Sequence, residues 1–309
     1  MASRGKILVI RGGAIGDFIL TLPVFSALRL QFPEAHLEVL GYPHIASLAL
    51  AGGLVEQIRS IEARPLARFF ARGGNLSGEL REYFSSFAII ISYLYDPDKI
   101  FQTNVALCSK AQFLAMPHRP DERLKMHATK TFLQPLERLA IFDANPIPRL
   151  SLNPQPTTLN LLAVHPGSGS ERKNWPESKW LKLLALLVAE TGFNFLLVGG
   201  EAEGTRLQRL TANLPHGRFQ MAQNLPLVEL AARLQSCVGF IGHDSGISHL
   251  AAALNLPGLV LWGETIAEIW SPQSARFKMI RHPEGLSRIS IEQVAGEIKS
   301  SFVETQRNG

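Results

Sequence analysis

Short apolar runs alternate along this chain with segments whose apolar residues recur every three or four positions. Residues 6–10 (KILVI) form a continuous apolar run that opens into a glycine loop. From Asp17 onward, Leu20, Pro23, Val24, Ala27, Leu28 and Phe32 recur with helical spacing up to Pro33. This pattern predicts strand, glycine loop, helix. The same rhythm predicts strands over 36–41, 55–61, 87–93 and 111–116, and helices over 44–50, 65–72, 77–84 and 127–139. It restarts further on, with strands over 160–165, 194–198, 237–241, 258–262 and 277–280. Helices are predicted between them over 176–190, 202–214, 227–235 and 247–254, with a terminal helix over 290–303. Apolar strands alternating with helices predict parallel sheets covered on both faces, an α/β class. Between the two series, Pro146, Pro148, Pro154 and Pro156 suit neither period and mark a linker over 146–158. The expected domains are 1–145 and 159–309, with the terminal helix packing back on the first.

Composition and charge narrow the function classes. With 309 residues and 46% hydrophobic content, the chain can bury two cores and is not a disordered polymer. Its 31 Lys+Arg against 26 Asp+Glu leave a formal charge of +5, which points to anionic partners. Only 4 Tyr and 4 Trp are available for stacking and no nucleic-acid-binding motif is present, so nucleic acid is not the expected partner. Cys108 and Cys237 lack metal or disulfide spacing and read as thiols in a reducing compartment. No apolar run reaches the length of a membrane span or a signal-peptide core, so a cytoplasmic location is expected.

Three loops carry the candidate chemistry, each at the carboxyl end of an expected strand. In Gly12-Gly13-Ala14-Ile15-Gly16-Asp17, Gly13 and Gly16 allow close backbone approach, and Asp17 sits at a helix start. There it reads either as a helix cap or as a carboxylate available for general base work. The loop is not G-x-G-x-x-G, which disfavours a dinucleotide site. In 165–176 (HPGSGSERKNWP), Ser168 and its neighbours offer donors and Lys173 a cation, suiting either a phosphate grip or a polar surface loop. In 242–249 (GHDSGISH), Asp244, Ser245 and Gly246 open a small-residue helix, as an anion site or as caps, and His249 follows as a possible core residue. Asp96 and Asp98 read as a turn and helix start. Arg64, Arg68 and Arg72, spaced by four, predict a shared basic helical face, and Arg119, Arg123, Lys125 and Lys130 form a second basic cluster.

The segments ILVIRGGAIGDFILTLPVFSALRLQFP, HPGSGSERKNWP and GHDSGISHLAAALNLPGLVLWGETIAEIWSP, in this order, resemble glycosyltransferase family nine, the ADP-heptose:lipopolysaccharide heptosyltransferases. The resemblance spans nearly the whole chain. It implies a GT-B fold: two Rossmann-like parallel-sheet domains facing across a cleft, with the acceptor on the first and the nucleotide-sugar on the second. It also implies an inverting, metal-independent transfer of a heptose or related sugar from an ADP-sugar to a lipopolysaccharide core or similar acceptor. No cofactor beyond the nucleotide-sugar co-substrate is implied. By this resemblance Asp17 is the base, and Lys173 meets the donor phosphates with Ser168, Asp244, Ser245, Gly246 and His249. Glu203 falls at a ribose-binding carboxylate and Leu225 at an adenine-facing position. Gly13, Gly16, Arg64, Arg68, Arg119 and Arg123 lie on the acceptor side. An anionic glycolipid acceptor further implies peripheral contact at the cytoplasmic face of the inner membrane.

One departure concerns the donor: the family often has Gly-Pro-Thr where this chain has Gly263-Glu264-Thr265. Two other function classes stand beside the transferase. One is a non-catalytic nucleotide-sugar-binding scaffold of the same fold, distinguished by absence of turnover. The other is an NAD-dependent oxidoreductase, which the missing G-x-G-x-x-G disfavours and NADH titration distinguishes.

Overall fold

The computed structural model describes residues 5–74, 76–153, 156, 160–212 and 214–303. Pro154, Gln155, Thr157 and Thr158 of the expected linker, and Asn213 of an expected helix, lie outside the described residues. The chain divides between Leu150 and Ser151 into two compact units.

The first unit runs β1 (Lys6–Arg11), α1 (Ile15–Ile19), α2 (Leu22–Gln31), β2 (His36–Gly41), α3 (Pro43–Ala51) and β3 (Gln57–Ser60). A 3₁₀ helix, Arg64–Phe70, leads to α4 (Gly78–Ser85), β4 (Ile89–Ser92), α5 (Ile100–Ala106), β5 (Gln112–Ala115) and α6 (Ala128–Leu133). The strands form one parallel sheet in the order β3-β2-β1-β4-β5. Apolar side chains fill one face, where Leu8, Ile10 and Leu40 meet Phe69, Phe84 and Phe101. The order reverses between β1 and β4, so the loops leaving their carboxyl ends flank a topological switch point.

Three expected helices differ in detail, each for a local reason. The helix from Asp17 to Pro33 breaks into α1 and α2, because Thr21 Oγ1 donates to the Asp17 carbonyl at 2.8 Å. Pro23 then opens α2, where its missing N–H costs nothing. The helix over 127–139 turns from α to 3₁₀ at Gln134–Leu139, where Pro135 lacks the N–H that would continue the α ladder. The segment carrying the arginine series is 3₁₀, with three residues per turn, and it buries Leu66 and Phe69. Arg64 and Arg68, four apart, therefore do not share a face, and Arg72 lies beyond the helix end. The expected basic stripe is corrected accordingly.

The second unit runs β6 (Leu161–Val164), α7 (Glu177–Glu190), β7 (Asn194–Gly199), α8 (Arg206–Thr211), β8 (Phe219–Gln223), α9 (Leu227–Gln235) and β9 (Gly239–His243). It continues with α10 (Gly246–Ala253), β10 (Gly258–Trp262), α11 (Ala267–Trp270), β11 (Phe277–Arg281) and α12 (Ile291–Ile298). The parallel order is β11-β10-β9-β6-β7-β8, reversing between β6 and β9. The terminal helix, expected to pack back on the first domain, contributes to the core of the second unit. Val294, Ala295, Ile298 and Phe302 pack into the second unit's own core beside Trp180, Leu184 and Leu187. The Phe302 ring lies where a β-carbon on Gly239 would fall, at 2.6 Å. No helix among the described residues is long and apolar enough to cross a membrane.

Candidate active site

In the first unit the switch point presents Asp17. β1 ends at Arg11, the chain turns through Gly13 at φ +100°, and α1 begins. A β-carbon on Gly13 would stand 2.9 Å from Asp17 Oδ2, so glycine is required for both its backbone angle and its lack of bulk. Asp17 Oδ2 accepts the Ala14 N–H at 3.1 Å, so the side chain acts as a helix cap. Its other oxygen, Oδ1, lies 3.8 Å from the guanidinium of Arg11. The Asp17 side chain is 34% exposed, so the carboxylate is both fixed and reachable from solvent. Gly16 lies beside it in the first turn of α1.

In the second unit the loops after β6, β9 and β10 converge on one carboxylate. Asp244 Oδ2 accepts from Lys173 Nζ at 2.7 Å and from Thr265 Oγ1 at 2.6 Å. Asp244 is nearly buried, whereas the Lys173 side chain is 38% exposed and offers its remaining donors outward. Ser245 caps α10 by accepting the Ser248 N–H at 3.3 Å, and Gly246 is the first helical residue. The result is a cation held beside the positive end of a helix, where an anion is favoured. Ser168 Oγ closes its own turn, accepting from Ser170 N and donating to Ser170 O. Ion pairs from Arg206 to Glu171 at 2.7 Å and from Lys173 to Asp244 tether the loop at two points.

Buried neutral histidines support this floor. His243 Nε2 accepts the Trp175 N–H at 2.8 Å, which leaves Nδ1 to donate to the Gly167 carbonyl at 3.3 Å. His165 Nδ1 meets Ser245 Oγ at 3.2 Å. Burial pulls His165 down to about 4 and His243 down to about 3 from the ordinary 6.5. The folded state thus refuses protons that the unfolded chain binds below about pH 6.5. Stability is present above that value and is lost as pH falls toward the folded pKa values. Between pH 6 and 5, above most carboxylate titration, the two histidines together should lower the unfolding free energy by up to about 3 kcal/mol per pH unit. Urea unfolding at several pH values measures this slope, and a flat profile would contradict it.

The remaining candidates are dispersed. Glu203 is buried, accepts the Gly200 N–H at 2.6 Å and packs on Gly167, where a β-carbon would collide with its carboxylate. Its Oε1 stands 3.8 Å from His165 Nε2, so it supports the loop after β6 from beneath. Leu225 is half-buried in the loop between β8 and α9, and His249 is buried in α10. Of the residues expected on the acceptor side, Arg64 and Arg68 are exposed on the 3₁₀ helix. Arg119 pairs with Glu122 at 3.2 Å and Arg123 with Asp121 at 2.6 Å, so much of that cluster's charge is locally compensated. Asp96 caps α5 through Phe101 N and Gln102 N, while Asp98 pairs with Arg72, in keeping with a turn and helix start. Two residues of the sites escaped the sequence reading: Thr265, as the tie to Asp244, and Arg11. An arginine closing the apolar run 7–10 of a central strand is the available signal for Arg11.

The comparisons with known proteins fit this arrangement. The model of glycosyltransferase family 9 (heptosyltransferase) matches residues 105–297, more than half of the chain. The chain belongs to glycosyltransferase family 9. This family 9 enzyme is 24% identical to lipooligosaccharide heptosyltransferase 2 of Haemophilus influenzae, over 91% of this chain and 89% of that protein. Its fold matches a family 9 glycosyl transferase from Veillonella parvula with a TM-score of 0.77 at 17% identity, covering 98% of this chain and 99% of the other. It also matches an Escherichia coli heptosyltransferase solved with ADP, with a TM-score of 0.75 at 17% identity over 96% and 99% of the two chains. The GT-B class is therefore the fold of this glycosyltransferase, and the oxidoreductase reading falls with the family assignment.

Proposed function

We propose that this family 9 glycosyltransferase moves a heptose, or a related sugar, from an ADP-sugar to a lipopolysaccharide core or similar anionic envelope acceptor. The observation that carries the donor half is the convergence of Lys173, Asp244 and Thr265 at the start of α10. A diphosphate leaving group gains negative charge as the glycosidic bond breaks. Lys173 and the N–H groups opening α10 supply opposing charge there without a metal ion. The Escherichia coli heptosyltransferase solved with ADP and with ADP-2-deoxy-2-fluoro heptose favours ADP as the carrier.

The acceptor half rests on Asp17 in the first unit. Its carboxylate takes the proton from the acceptor hydroxyl as that oxygen attacks the anomeric carbon, a single displacement that inverts configuration. The second unit then binds donor and the first binds acceptor, working at the cytoplasmic face of the inner membrane. ADP release from ADP-heptose in the presence of heptose-deficient lipopolysaccharide tests this reading. Release should depend on acceptor and be unchanged by EDTA. Loss of turnover in EDTA overturns metal independence, and no turnover with a panel of nucleotide-sugars and envelope acceptors supports a scaffold instead.

A further inference from the structure

We propose that Arg11 is a positioning residue for sugar transfer, holding Asp17 in register from beneath the active-site loop. This rests on the reading of Asp17 as the base. Arg11 is the last residue of β1 and is only 3% exposed. Its Nη2 donates to the Asp17 carbonyl at 3.2 Å and lies 3.8 Å from Asp17 Oδ1, while Nη1 donates to the His118 carbonyl at 3.0 Å. The guanidinium also lies 4.6 Å from the Phe132 ring centroid and 5.3 Å from that of Tyr93. Tyr93 is in turn fixed by donating its hydroxyl to the Phe132 carbonyl at 2.8 Å. One side chain thereby joins β1, the loop after β5, the aromatic floor and the start of α1.

Stability alone is a poor reason for an arginine at this place. Burying a guanidinium is costly unless every donor is used, and Arg11 Nε is buried with no hydrogen-bond partner among the described residues. Burial also depresses the arginine's own pKa, with Asp17 acting in the opposite sense. Among the described residues Asp17 supplies the carboxylate in its ion pair. The geometry has a clear use, however. The Asp17 main chain is gripped twice through its carbonyl, by Arg11 and by Thr21 Oγ1, and the carboxylate is turned between Ala14 N–H and the guanidinium. A base fixed in this way meets the acceptor hydroxyl without searching rotamers, and misplacement by about 1 Å can cost ~10²-fold in rate.

The test is a double-variant cycle of Arg11→Gln and Asp17→Asn, read as kcat, acceptor KM and ADP affinity. Arg11→Gln alone should lower kcat by about 10²-fold, with acceptor KM and ADP affinity within about twofold. In the Asp17→Asn background the same change should alter the residual rate by less than about threefold, because the group it positions is already gone. Losses that multiply in the double variant, or a defect confined to KM, overturn the proposal. Full activity in Asp17→Asn alone overturns the base assignment itself, a separate result. Should Arg11→Gln not fold, Arg11→Lys carries the test, because it keeps charge but loses the planar fork. It should lower kcat about tenfold with ADP affinity unchanged, and a kcat equal to the parent enzyme refutes the positioning role.

Discussion

Replacing Asp17 by asparagine should lower sugar transfer by about three orders of magnitude while leaving ADP affinity within twofold. The substitution is nearly isosteric, and the carboxamide oxygen can still accept the Ala14 N–H that the carboxylate accepts at 3.1 Å. The α1 start and the glycine turn at Gly13 therefore persist. What disappears is the proposed ability to take a proton from the attacking hydroxyl, and general base catalysis typically contributes 10²–10⁴-fold. Some stability goes with it, since nearly buried Arg11 loses its counter-charge, so rates must be referred to folded protein. Calorimetric ADP titration reports the donor site proposed in the second unit, and acceptor-dependent ADP release reports chemistry. Transfer within tenfold of the parent enzyme would remove Asp17 from the role of base.

The strands were the most legible part of the fold. Residues 36–41 and 258–262 were read with the boundaries that β2 and β10 adopt, because continuous apolar runs bounded by turns admit few alternatives. β8 escaped, since Phe219–Gln223 alternates weakly and only Ala222 is fully buried. The start of α5 is legible only through Asp96 and Asp98, read as a turn and helix start, because Asp96 begins the helix by capping two N–H groups and the segment shows no clear apolar period. The arginine stripe misled because a spacing of four aligns residues only at 3.6 per turn, and Arg64–Phe70 winds at three.

At the site, the sequence carried the loops but not the ties between them. Strand, glycine and helix order places Asp17, Lys173 and Asp244 at carboxyl ends of strands. That Lys173 and Thr265 share a single oxygen of Asp244 depends on β6, β9 and β10 lying in one neighbourhood of the sheet. Glu203 shows the same limit. Its place under Gly167 follows from β7 lying next to β6, a contact that no local pattern displays.

Replacing Lys173 by methionine should weaken ADP binding about 10²-fold, more than the loss of one surface cation would. Exposed pairs contribute little, typically under ~1 kcal/mol. Lys173 differs because its partner is nearly buried: the Asp244 side chain is 10% exposed, against 38% for the lysine. Removing the ammonium leaves that carboxylate with Thr265 Oγ1 as its partner and aims its charge at the place proposed for the diphosphate. The low end of the cost of breaking a hydrogen-bonded charge pair, ~2–3 kcal/mol, corresponds to the 10²-fold expected. Adding Asp244→Asn should then restore about tenfold in affinity, because the repelling charge is gone although the phosphate contact is still missing. Calorimetry across ionic strength separates the two terms: the Lys173→Met enzyme should show a shallower salt dependence than the parent, and the double variant an intermediate affinity. If ADP affinity is unchanged in Lys173→Met, the lysine serves only to hold Asp244, and the leaving diphosphate must be met by the N–H groups that open α10.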